Sequence, residues 1–307
     1  MLDTRKIGAY ISKLRKDRDM TQMELADQLN VSHQAVSKWE RGESLPDIGM
    51  IPVIAREFGK TLDEIMNAGI LVENRRFSHI GRIVEGISEN RTVEVAELIN
   101  TERMYVEELV EIAPLMKAST LDAVSERLDK SHFSLEVIMR LAPFLSTETL
   151  DELVLFAAED NMQLDVISGI APFLSIGTLD KLVDKAIEGT FDIREVVKLA
   201  PFLGSDQVDK LVQQVEEGSF SWELVQALAP FISEATLSRL VDQVIEGKVE
   251  AKQILSLAPF LSKENIKKLV ENVEWEHHNS DILAGLAPFV HKDTLGRLVT
   301  NLITKVK

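Results

Sequence analysis

The sequence predicts an all-α protein in three stretches. Residues 1–70 form a small bundle, residues 71–101 a linker with capping helices, and residues 102–307 an α-solenoid of about seven helix pairs. Three observations carry this prediction. Apolar residues in 21–41 recur at helical spacing between helix-capping signals. A five-residue motif then returns every 29 residues from Ile112 onward, without insertion or deletion. Each 29-residue unit also decodes into two short capped helices separated by a proline.

The first element pair lies in TQMELADQLNVSHQAVSKWER, residues 21–41. Thr21 caps a helix, and Glu24 three residues later completes a capping box. Leu25, Ala26 and Leu29 share one face, and Asn30 tolerates the left-handed conformation that ends a helix. Ser32 caps a second helix and Gly42 stops it. Val36 and Trp39 face inward, which leaves His33, Gln34, Ser37 and Lys38 outside. Such a helix fits the DNA major groove, where Gln and Lys meet base-edge acceptors and donors. An exposed Gln or Lys alone is ordinarily just solvated; two capped helices around a matching turn lift these above that reading.

The segments LRKDRDMTQ, LADQLNVSHQAVSKWERG, LPDIGMIPVIAREFG and TLDEIM follow in one order and spacing across residues 7–67. In this they resemble the helix-turn-helix domain of the Cro-like phage-repressor family, also called the xenobiotic-response-element (XRE) family. The resemblance covers about a fifth of the chain and implies a five-helix bundle. It implies that Gln22 contacts a phosphate, that His33, Gln34, Ser37 and Lys38 face bases or adjacent phosphates, and that Arg41 contacts the backbone. Ser32, at the cap, completes the DNA-binding set. The resemblance also makes Arg15 and Glu40 a buried ion pair bracing the first helix against the third. His33 departs from the commoner polar residues at its position.

Composition bounds the rest. The chain has 307 residues, 45% of them hydrophobic, and no cysteine. That excludes disulfides, zinc fingers and thiol catalysis, and suits a reducing cytoplasm. No signal peptide and no membrane-spanning stretch is legible. Net charge is −16, unevenly placed. Residues 1–76 carry 12 Lys+Arg and 12 Asp+Glu, whereas residues 77–307 carry 22 and 38. A neutral head on an acidic body implies weak non-specific DNA affinity and reliance on specific contacts and dimer avidity.

The repeat motif, Leu-Ala-Pro-Phe-Leu or a close variant, starts at Ile112, Leu141, Ile170, Leu199, Leu228, Leu257 and Leu286. In the unit Phe220–Gly247, Ser221 caps the first helix, and Phe220 with Val225 makes a hydrophobic staple. Phe133 with Ile138, Met162 with Ile167, Phe191 with Val196, and Val249 with Ile254 repeat that pairing. Pro230 disfavours helix for Ala229 and ends or sharply kinks the first helix. Ser233 caps the second helix, as do Ser146, Ser175 and Ser262, and Leu237, Leu240, Val241 and Val244 make its buried stripe. Gly247 ends it, as Gly189 and Gly218 do elsewhere. One unit has too little apolar face to fold alone, so stacking is required. The motif therefore reads as inter-repeat packing rather than as a ligand box. Tyr105, Trp222, Trp275 and His277–His278 break the pattern and read as packing variations or solvated residues. Asp122, Asp151, Asp180 and Asp209 recur in the second helix and read as a solvated row that could attract a basic partner.

No glycine-rich phosphate loop, nucleophile elbow or His pair at i, i+4 is present, so neither enzyme chemistry, a metal nor a cofactor is expected. The sequence reading is a cytoplasmic, sequence-specific transcription regulator. It binds a two-fold symmetric, inverted-repeat operator in double-stranded DNA as a homodimer, because one such domain makes too few contacts. The solenoid dimerises, binds a protein or peptide effector, or both; family members with helical-repeat C-terminal domains include peptide-responsive regulators. The rival readings are an interaction scaffold that docks through the N-terminal domain, and an antitoxin or phage-defence component that regulates its own operon.

Overall fold

The computed structural model describes residues 3–70, 79–160, 163–188, 196–216, 222–272 and 285–290, and every regular element among them is helical. The chain divides into two compact units, residues 1–175 and 176–307.

The first unit begins with five helices: α1 Thr4–Asp17, α2 Gln22–Leu29, α3 His33–Arg41, α4 Met50–Phe58 and α5 Leu62–Met66. Their ends are set by local chemistry. Asp3 and Ser32 accept from backbone amides at the starts of α1 and α3, and capping boxes open α2 (Thr21, Glu24) and α5 (Thr61, Glu64). Asn30, Gly42 and Gly59 take left-handed conformations at the ends of α2, α3 and α4. Ile7, Ile11, Leu25, Leu29, Val36, Trp39, Ile54, Phe58 and Ile65 are all buried in the shared core.

Gly8 lets α1 lie directly on α3. A Cβ at this position would sit 2.0 Å from the Trp39 carbonyl oxygen. In an open helix, Gly→Ala stabilises by about 1 kcal/mol. Here the sign reverses: Gly8→Ala is expected to cost about 3 kcal/mol by forcing two backbones apart. Calorimetric melting checks this, and a raised Tm would mean that the helices are free to separate.

The next helices pack onto this bundle. α6 Ile80–Ser88 touches α4 and α5, and also α7 Thr92–Asn100. Asp63 Oδ1 accepts from Gly81 N at 3.0 Å, which pins α6 to α5. Then come α8 Val106–Ile112, α9 Ala118–Ser125, α10 Leu135–Leu141, α11 Thr147–Asp160 and α12 Leu164–Ile170. α8, α10 and α12, the first helices of successive repeats, lie side by side, with α10 touching both others. Glu108, fully buried at the start of α8, accepts from the amides of Tyr105 and His79.

The second unit contains α13 Ile176–Glu188, α14 Ser205–Glu216, α15 Trp222–Leu228, α16 Glu234–Ile245, α17 Ala251–Ile254 and α18 Lys263–Asn272. Leu237, Leu240, Val241 and Val244 form the buried stripe of α16, and Gly247 follows it at φ +74. Ser146, Ser233 and Ser262 each accept from a backbone amide three residues on. Phe133 and Ile138 are both buried beside the Ser134 cap. Tyr105 is exposed, and half-buried Trp222 donates its indole N–H to the Gln253 carbonyl. The features assigned to Met162, Gly189, Phe191, Gly218, Phe220, Ser221, Trp275, His277 and His278 lie outside the described residues.

The recurring proline ends the α-helix of its repeat, as expected, without breaking the helical path. The α-helix ends at Ile112, Ile170 and Leu228, but the chain continues into a single 3-10 turn containing the proline. The alanine before it stays in the right-handed helical region, at φ −48, ψ −40 for Ala113 and φ −47, ψ −38 for Ala171. The amide of that alanine still bonds to the carbonyl four residues back, and the proline, lacking an N–H, ends the α-helical ladder there. The tightened turn thus outweighs the local preference against helix before proline.

The aspartate row is also corrected: its carboxylates join repeats. Asp122 Oδ1 accepts from Ser146 N at 3.0 Å, Asp151 Oδ1 from Ser175 N at 3.1 Å, and Asp209 Oδ1 from Ser233 N at 3.2 Å. Each bond satisfies a backbone donor at the start of the next second helix, where no intrahelical acceptor exists. Where Ser238 replaces the aspartate, Asn265 reaches back to it with its amide at 2.8 Å. At the Asp180 junction Gly204 stands at the serine position, and Asp180 Oδ1 is buried without a partner. Burial accordingly pushes the Asp180 carboxyl above its usual range.

Candidate nucleic-acid interface

α2 and α3 meet through the left-handed residue Asn30, and Val36 and Trp39 bury one face of α3. The opposite face carries exposed Gln34, Lys38 and Arg41 and half-buried Ser37. These four follow i, i+3, i+4, i+7 spacing and so form one stripe about 10 Å long. His33 is exposed at the first turn of the helix, beside Ser32, whose hydroxyl oxygen accepts from Ala35 N at 3.2 Å.

One carboxylate holds this helix in place. Glu40 Oε1 accepts from Arg15 Nε at 2.5 Å; its Oε2 accepts from Arg15 Nη2 at 2.9 Å, Gln22 Nε2 at 2.8 Å and Ser12 Oγ at 3.0 Å. The Arg15 and Glu40 side chains are 9% and 5% exposed, and Arg15 also donates to the Met20 carbonyl. α1, α2 and α3 are therefore joined at a single buried point. Burial by itself raises the Glu40 carboxyl, but the hydrogen bonds from Arg15, Gln22 and Ser12 outweigh it and hold the group below its usual range. The same pairing holds the Arg15 guanidinium above its usual value.

Two candidate residues are thus occupied from within. Gln22 spends one amide hydrogen on Glu40 and keeps the second for another acceptor. Arg41 forms a bidentate pair with Glu43, at 2.6 Å and 3.0 Å, and donates its third arm to Ser37 Oγ. Glu43 and Ser12 were not singled out from the sequence. Glu43 was within reach of such reasoning, lying two residues beyond Arg41 past a glycine turn; Ser12 had no signal.

Among the described residues, no group of three or more His, Asp or Glu side chains is placed to hold a metal. Nor is any helix among them long and apolar enough to cross a membrane.

The helix-turn-helix family model matches residues 11–65. The HTH-type transcriptional activator BcrR of Enterococcus faecalis is 37% identical over 62 residues, which make up 20% of this chain and 30% of that protein. The chain thus spans less than a third of this relative's length. Residues 11–65 are a helix-turn-helix domain of the XRE type.

Proposed function

We propose, with that helix-turn-helix domain as the premise, that the chain is a sequence-specific transcription regulator that reads double-stranded DNA with α3. The stripe Gln34, Ser37, Lys38 and Arg41 on a helix braced from behind by Glu40 is the observation that carries this reading. Gln and Lys on such a stripe suit base-edge acceptors in the major groove, and Arg41 suits a backbone phosphate. The head acts as a homodimer on an inverted-repeat operator. The helical repeats, stacked as a solenoid over 102–307, supply the dimer contact and respond to a protein or peptide.

Selection of bound sequences from random duplex DNA tests this. The expected product is an inverted repeat with half-sites about 10 base pairs apart, centre to centre. Failure to enrich any sequence at any salt concentration overturns it.

The Arg41–Glu43 pair makes a separate prediction. Both side chains are about half exposed, so the pair adds little stability, but it holds the guanidinium that a phosphate would need. Glu43→Gln is expected to tighten DNA binding and to steepen the fall of log K with log salt by about 1. Fluorescence anisotropy across a salt series measures both. In an Arg41→Ala background the gain should vanish; a gain that persists there would mean that Glu43 acts through general repulsion.

A further inference from the structure

We infer that the outward face of α8, α10 and α12 is a docking surface for a cationic amphipathic segment of another protein. This deepens the sensing part of the proposed function and is independent of DNA reading, because none of its residues belongs to α1–α5.

The repeat motif divides into a buried part and an exposed part. Ile112, Leu141 and Ile170 are fully buried, as are the alanines that follow them. Stacking needs these. Pro114, Pro143 and Pro172 are exposed, and Phe173 keeps 40% of its surface in water. Stacking does not need that exposure. It is a property of the motif rather than of one copy: in the second unit Pro201, Pro230 and Pro259 are exposed, and Phe260 keeps 41%. On α10, Met139 adds a side chain 42% exposed, lying over Gly169, where a Cβ would come within 3.5 Å of its sulfur. Apolar side chains that recur in the open mark a contact surface.

Charge says what covers it. Glu107 precedes Pro114 by seven residues, as Glu136 precedes Pro143 and Asp165 precedes Pro172, and all three acids are exposed. A seven-residue step returns to the same helix face about 10 Å along. Because α8, α10 and α12 lie side by side, the face carries a row of carboxylates parallel to a row of prolines, with Met139 and Phe173 as its exposed apolar side chains. Arg140, which falls between the rows, is paired with Glu111 at 2.6 Å. Residues 77–175 carry only 7 Lys+Arg against 18 Asp+Glu. A second copy docking here would set like charge on like charge, and DNA would be repelled. The complementary occupant carries an apolar stripe flanked by Lys or Arg.

The test uses the full chain and two synthetic helical peptides of roughly 15 residues, long enough to cross both rows. One is a Leu/Lys amphipathic peptide; the other is a Leu/Glu peptide with the same apolar face. Calorimetric titration is expected to show binding of the first and not of the second. Met139→Ser with Phe173→Ser should weaken it about tenfold, since two exposed apolar contacts are lost. Glu107→Gln with Glu136→Gln should weaken it and flatten its salt dependence. Glu107 and Glu136 are exposed, so the melt of their variant should stay unchanged; Met139 and Phe173 bury more than half of their surface, so their variant is titrated well below its own Tm. Three results would overturn the inference: no binding of the Leu/Lys peptide, binding indifferent to the Met139/Phe173 variant, or sedimentation showing that this variant turns a dimer into monomers. The wild-type chain's affinity for its selected duplex, measured alongside, reports separately on the DNA reading.

Discussion

Replacing Gln34 and Lys38 together with alanine is expected to abolish operator binding while leaving the fold intact. Both side chains stand exposed on the outer stripe of α3, away from Val36 and Trp39, which form its core face. Each groove or phosphate contact contributes about 1–3 kcal/mol, so the pair should cost about 2–6 kcal/mol, a loss of at least thirtyfold. Fluorescence anisotropy on the selected duplex measures the loss, and differential scanning calorimetry measures the melt. If Tm falls by more than about 5 °C, the two residues support the bundle and the assignment of the stripe fails.

The largest stability effect is expected at Glu40. Glu40→Ala would strand the Arg15 guanidinium in a site where only 9% of its side chain reaches water. Removing one partner of a buried pair costs about 3–5 kcal/mol, enough to unfold a small helical bundle outright. The pH dependence follows from the same contacts. The folded carboxyl lies below its usual value of 4.5, so the unfolded chain takes up the proton more readily. The contribution of Glu40 is fully present above pH 4.5 and fades as the pH drops through the lower folded value. The wild-type head should therefore lose stability on acidification below about pH 4.5, and Glu40→Gln should flatten that slope. Circular dichroism melts between pH 3 and 7 separate the two; parallel slopes would remove Glu40 as the cause.

What could be read from the sequence depended on how far each signal reaches. Thr21, Asn30, Ser32 and Gly42 act within three residues of themselves, so the ends of α2 and α3 were legible before any tertiary contact was known. The buried stripe of α16 was legible for the same reason. Long-range polar contacts were not. Asp122 and Ser146 are 24 residues apart, and nothing in an acidic side chain at an apparently solvated position names a distant amide as its partner. Gln22 is similar: the residue suited to a phosphate is also suited to Glu40, 18 residues away, and the folded chain uses it there. The end of the α-helix before Ala229 and Pro230 was legible from a local rule, but the tight turn that carries the chain past it was not.

The bonds from serine amides to aspartates 24 residues earlier also bear on how such an array could grow. Donor and acceptor lie in different repeats, so neither is complete within one 29-residue unit. Tandem duplication of a whole unit recreates both halves at every new boundary and needs no further change. Point substitution of the aspartate does not, because it leaves the next repeat's amide without its acceptor, whereas substitution of the serine keeps the backbone amide. At the Ser238 boundary Ser262 is kept and the side-chain amide of Asn265 reaches the substituted position instead, while at the Asp180 boundary the aspartate is kept and one of its oxygens is left over. Lengthening by copying is therefore easy for this chain, whereas loss of a joint aspartate must be answered by a new side chain in the next repeat or leave a weak seam.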